Sequence, residues 1–112
     1  VTTRSHVTSH VLDATLGRPA QGLSIRLDAL HDGTWSTLAE ASTDADGRVA
    51  DLGPAQLGAG VYRVVFDTAA YFGDRPSFYP EVSVAFEVAD TTEHYHIPLL
   101  LSPFAYSTYR GS

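Results

Sequence analysis

The 112-residue chain is 44% hydrophobic and 18% charged, carries a net charge of -6, and contains neither Cys nor Lys. That length predicts one domain over residues 1–112 with a single core that needs no staples. The acidic balance argues against nucleic acid or an anionic membrane surface as partner, the missing Cys removes thiolate and disulfide chemistry, and no apolar run approaches the roughly 20 residues that cross a bilayer.

The first strand is expected over His6 to Asp13, where Val7 and Val11 share one face and His10 points to the other. A turn at Gly17-Arg18-Pro19 leads to Leu23, Ile25, Leu27 and Ala29 alternating with Ser24, Arg26 and Asp28, a half-buried strand. His31-Asp32-Gly33 reads as a hairpin loop into a strand over Trp35 to Thr43, and Thr43 to Gly47 (TDADG) as a second tight turn with Arg48 at its exit. A short strand near Arg48 to Leu52 precedes a Gly/Pro loop from Gly53 to Gly60, and Val61 to Phe66 is β-branched and aromatic. Asp67 to Phe72 is the one plausible helix, with Asp67 or Thr68 as N-cap and Gly73 at its end. Beyond an extended loop from Arg75 to Pro80, Val82, Val84, Phe86 and Val88 alternate with smaller or polar residues, and Asp90-Thr91-Thr92 turns the chain into its last segment.

That segment, HYHIPLLLSPFAYSTYRGS from His94 to Ser112, concentrates histidine, tyrosine and aliphatic residues. At period two, Tyr95, Ile97, Leu99 and Leu101 share a core-facing side and His94 and His96 the opposite one. Pro98 and Pro103 imply an edge, or a break between two strands. The fold class predicted is therefore all-β: an antiparallel β-sandwich of about eight strands with one short helix.

The candidate chemistry lies in His10, His94 and His96 on outward faces, because neutral imidazole exchanges protons near neutral pH. Arg48 adds a planar fork suited to a carbonyl or an anionic heterocycle. Taken singly, an outward strand histidine is an ordinary surface residue, and so is a turn-exit arginine. The His94/His96 pair stands out by sitting beside the aromatic-rich end, whereas His6 and His31 are assigned to the surface. Asp44 and Asp46 lack the later Glu of a calcium loop, and Ser9 and Ser107 have no nucleophile-elbow pattern. A zinc site on His10, His94 and His96 is geometrically conceivable and ranks below metal-free catalysis.

Three stretches together resemble the 5-hydroxyisourate hydrolases of the transthyretin-like family: Ser9 to Asp13 (SHVLD) with Gly17 to Ala20 (GRPA), the DADGR turn of Asp44 to Arg48, and the closing run that ends in YRGS. The resemblance covers the whole chain. YRGS is its most specific part, being absent, like the histidines at positions 10 and 96, from the hormone carriers of the same fold. It implies a transthyretin-like sandwich assembled as a homotetramer, a dimer of dimers, with hydrolysis of a ring amide of 5-hydroxyisourate in urate degradation. The catalytic residues implied are His10, Arg48 and His96, with His94, Tyr109, Arg110, Gly111 and Ser112 binding substrate, and no metal or cofactor. Bringing His10 and His96 into one pocket is expected to need two paired sandwich surfaces. The cytoplasm is the expected compartment, or the periplasm where a presequence has been removed. The competing reading is a carrier with an apolar channel.

Overall fold

The computed structural model describes residues 4–112. Nine strands and one helix are found among them: β1 (Val7–Asp13), β2 (Arg18–Pro19), β3 (Ser24–His31), β4 (Thr34–Ser42), β5 (Arg48–Val49), β6 (Gly60–Phe66), α1 (Thr68–Phe72), β7 (Val82–Val88), β8 (Tyr95–Ser102) and β9 (Ala105–Thr108). One sheet has the order β2-β1-β8-β9, with β5 added beside β2 along the same edge of β1; the other runs β4-β3-β6-β7. They face each other across a core of Val7, Val11, Leu23, Ile25, Leu27, Val64, Phe66, Val82, Ile97, Leu99 and Leu101. These are the residues that period-two alternation turns inward. No helix among the described residues is long and apolar enough to cross a membrane.

One pairing departs from the antiparallel expectation. β1 and β8 run parallel, with Thr8 opposite His96 and His10 opposite Pro98. Parallel neighbours need a crossover between them; here the chain traverses the whole second sheet before it returns beside β1. The other ladders are antiparallel. Pro98 lies inside β8, a strand flanked on both sides, and it breaks the ladder to β9. Its carbonyl accepts from Thr108 Oγ1 at 2.6 Å, and the chain re-engages through Gly111 N–H, which donates to His96 O at 3.0 Å.

His6 is a second correction, because it is buried rather than on the surface. Leu57 N–H donates to its Nδ1 at 2.8 Å, and its Nε2–H donates to the carbonyl of Glu93 at 2.6 Å. One imidazole thereby ties the Gly/Pro loop to the turn that precedes His94. Asp13, closing the SHVLD stretch, is fully buried; its carboxylate accepts from Tyr71 O–H at 2.7 Å and from the N–H groups of Thr15 and Leu16. That contact seats α1, whose N-cap is Asp67 and whose C-cap is Gly73, against the end of β1.

The turn that delivers Arg48 is built on Asp44 and Gly47. Asp44 Oδ1 accepts from the N–H groups of Asp46 and Arg48 at 2.9 and 3.0 Å, so the acidic pair shapes a turn. Gly47 adopts φ +72°, a conformation disfavoured for residues with a Cβ, and a Cβ there would collide with the backbone oxygen of Val11. Gly47 O in turn accepts from Val11 N–H at 2.8 Å, which fastens the turn to β1. Gly47→Ala is therefore expected to destabilise the fold by at least about 1–3 kcal/mol, the usual cost of a strained backbone position. Urea unfolding of the variant beside the wild type measures it, and an unchanged midpoint would refute the close approach.

Candidate active site

Alternation puts Thr8, His10 and Leu12 of β1 on the outer face of its sheet, and His96, Pro98 and Leu100 of β8 beside them. The register does the rest. His10 pairs with Arg48 across β1 and β5, Thr8 pairs with His96 across β1 and β8, and His96 forms a bridge with Gly111. Arg48 and His10 are direct cross-strand neighbours, and His96 lies on the next strand, two residues along from the position opposite His10. A single chain thus sets the three on neighbouring strands of one face, although His10 does not line the same cavity as His96.

A cavity of about 220 Å3 opens on this face, lined by Arg48, His94, His96 and Ser112 together with Arg4 and Thr8. It is smaller than the roughly 300–1,000 Å3 of drug-sized pockets and suits a compact ligand. No Asp or Glu side chain lines it, and two guanidinium groups do, so it is electropositive within an acidic protein. A larger concavity of about 590 Å3 on the opposite sheet carries Arg26, Glu40, Asp67 and Glu81 but no imidazole. The smaller one carries the His94 and His96 imidazoles together with Arg48. No cluster of three metal-ligating side chains is found among the described residues.

The two cavity histidines share one partner. Thr8 Oγ1 lies 2.8 Å from His94 Nε2 and 2.8 Å from His96 Nδ1. Burial lowers the pKa of both imidazoles, since the cation is the form that loses hydration. For His96 the charges of Arg48, His10 and Arg4 push in the same direction; for His94 those of Arg4, His96 and His6 do. Both rings are consequently neutral near pH 7, and His96 keeps a lone pair for proton abstraction.

The remaining sequence-predicted residues divide. Gly111 packs flat against the His96 ring, where a Cβ would collide with Cδ2 and approach Pro98 Cγ to 3.2 Å. His10 is half-buried beside Arg48, outside the cavity lining though close enough for its charge to act on His96. Tyr109 and Arg110 are not brought to the cavity. They line a separate concavity between the sheet edges with Val84, Phe86, Tyr95 and Ile97. Arg110 reaches Glu93 at 2.9 Å and stacks over Tyr95 at 4.7 Å, holding the end of the chain in place. Sequence reasoning missed Arg4 and Thr8. The outward period-two position of Thr8, two residues before His10, was the available signal; Arg4 precedes every strand and gave none.

A model of the HIUase/Transthyretin family matches residues 7–111. The chain is 46% identical over 106 residues to the 5-hydroxyisourate hydrolase of Salmonella dublin, covering 92% of this chain and 78% of that one. Its structure superposes on the 5-hydroxyisourate hydrolase of Klebsiella pneumoniae with a TM-score of 0.84 at 37% identity, over 95% of this chain and 98% of the other. Sea bream transthyretin, solved in complex with thyroxine, gives a TM-score of 0.86 at 36% identity over 94% and 93%.

The lowered imidazole values carry a consequence for stability. Between the folded values and the ordinary 6.5, the unfolded chain binds more protons than the folded one. Stability should then rise with pH across that window, its contribution complete above 6.5 and lost as pH falls toward the folded values. Urea midpoints taken between about pH 7.5 and about pH 5.5 should fall toward acid, and fall less in a His94→Asn/His96→Asn double variant. Equal slopes would contradict the burial of these rings.

Proposed function

The chain belongs to the HIUase/Transthyretin family, and we propose that it hydrolyses a ring amide of 5-hydroxyisourate in urate degradation through His96, Arg48 and His10. Water adds to the amide carbonyl, the ring C–N bond breaks, and 2-oxo-4-hydroxy-4-carboxy-5-ureidoimidazoline is formed. The single observation that carries this reading is a neutral imidazole and a guanidinium in one small cavity: His96 with lowered proton affinity beside Arg48.

The two residues reinforce each other. Arg48 disfavours a proton on His96 and so keeps the base free, while its fork is available to the carbonyl oxygen as negative charge develops there. With Nδ1 of His96 paired to Thr8, Nε2 is the ring nitrogen left to take the proton of the attacking water. His10, paired with Arg48 across β1 and β5, is assigned to orient it and to share the proton chemistry. Ser112 bounds the cavity, and Gly111 lies against the His96 ring; Tyr109 and Arg110 support the site by fixing the chain end. The carrier reading requires an apolar channel, and the polar lining of this cavity argues against it although the fold matches carrier and enzyme equally well.

His96→Ala should lower kcat by about 10²–10⁴-fold, the range for loss of a general base, in an optical assay of freshly made 5-hydroxyisourate. Wild-type turnover in that variant, or tight binding of thyroxine without hydrolysis by the unaltered protein, would overturn the assignment.

The assembly assigned is a homotetramer, a dimer of dimers, in which the His10/Arg48/His96 faces of paired sandwiches wall a channel. Support comes from the open outer edges of β7 and β9 and from exposed Leu100, Phe104, Tyr106 and Tyr109, an arrangement that a lone sandwich leaves open to edge pairing. Light scattering should give four times the 12.0 kDa chain mass; a 12.0 kDa species with full activity would remove the channel.

A further inference from the structure

We propose that Thr8 is a positioning residue that locks His94 and His96 into a shared tautomer and relays the proton taken up by His96 to His94. The proposal rests on the hydrolase reading above and deepens it.

Thr8 is almost completely buried, and its Oγ1 sits 2.8 Å from each of two ring nitrogens, His94 Nε2 and His96 Nδ1. A threonine hydroxyl has one proton to donate and lone pairs to accept with. If both nitrogens carried protons, the hydroxyl hydrogen would have no acceptor there; if neither did, two lone pairs would compete for one hydrogen. Satisfaction of the buried group therefore requires that one nitrogen be protonated and the other bare. Because the two contacts involve Nε2 of one ring and Nδ1 of the other, the neutral rings must adopt the same tautomer, both Nδ1–H or both Nε2–H.

In the Nδ1–H arrangement, His96 donates to Thr8, Thr8 donates to His94 Nε2, and His96 Nε2 is bare and able to act as base. When water gives its proton to His96 Nε2, that ring becomes a cation in a site where burial and Arg48 disfavour one. Two short transfers then relieve it: Nδ1–H of His96 passes to Oγ1, and the Thr8 hydroxyl proton passes to His94 Nε2. Thr8 ends as it began, His96 is neutral with its proton on Nε2, and the positive charge resides on His94, where burial and Arg4 still oppose it but Arg48 is not among the opposing charges. Running the same two transfers backward returns the charge to His96, whose Nε2–H then passes to the leaving nitrogen and so restores the resting state. His94, without an assigned task in the hydrolytic step, becomes the reservoir.

The test combines a hydroxyl deletion with a direct view of the protons. Thr8→Val, nearly isosteric, should lower kcat by about 10–100-fold with a smaller change in KM, the scale seen when partners that orient functional histidines are removed. Thr8→Ser should retain most of the activity. Long-range 1H–15N correlation spectra of the unaltered protein with labelled histidine should show His94 and His96 both as Nδ1–H; both as Nε2–H would overturn the relay, since His96 Nε2 would then have no lone pair for the water proton. One ring as Nδ1–H and the other as Nε2–H overturns the proposal without need of any variant, as does wild-type kcat in Thr8→Val. Matching tautomers in a protein that leaves 5-hydroxyisourate intact would overturn the assigned reaction and the relay's catalytic use together, leaving only the tautomer lock.

Discussion

The parallel register between β1 and β8 is the constraint on which everything else depends. Strand side chains alternate with period two, so a slip of one residue would turn the imidazoles into the core and the valines and leucines toward solvent. The register is held by the apolar faces of Val7, Val11, Ile97, Leu99 and Leu101, all buried, and by Ser9 Oγ, which donates to the carbonyl of Ile97 at 2.7 Å inside the pair. That single alignment sets Thr8 beside His96 and His10 beside Pro98. Folding energy and site geometry thus come from the same ladder: the inward face stabilises the sandwich and the outward face receives its chemistry at no separate cost.

The site also shows how an acidic protein can make a positive, proton-accepting pocket. Three of its carboxylates are engaged elsewhere. Asp13 holds α1, Asp28 is buried among Arg63, Thr37 and Arg26, whose hydrogen bonds outweigh the effect of burial and keep its pKa low, and Glu93 faces Arg110. Arg48 is left to act on His96. The arrangement keeps the His96 imidazole unprotonated near pH 7.

Enzyme and carrier share this sandwich to nearly the same degree, with TM-scores of 0.84 and 0.86. The fold is therefore a scaffold, and function resides in which side chains occupy its outward face. Here that face carries Thr8, His10, Arg48, His94 and His96, a hydrogen-bonding and titratable set unsuited to an apolar ligand. Gly111 extends the dependence to the end of the chain, because its missing side chain is what lets the closing segment lie against the His96 ring.

Much of this was legible in the linear order of residues. Alternation identified the strands, their inward faces and the outward histidines, since period two is a local property of an extended backbone. Gly47 and the acidic pair before it identified the turn that delivers Arg48, for the same local reason. His6 was misassigned because its burial comes from two partners, Leu57 and Glu93, that lie 51 and 87 residues away. A non-local origin holds also for the parallel neighbour of β1, for the separate concavity that Tyr109 and Arg110 line, and for the threonine shared between two imidazoles. Sequence determined which side each residue faces; only the tertiary structure decided which outward residues meet, because non-local strand pairing is set by the packing of the whole sandwich and not by any one segment.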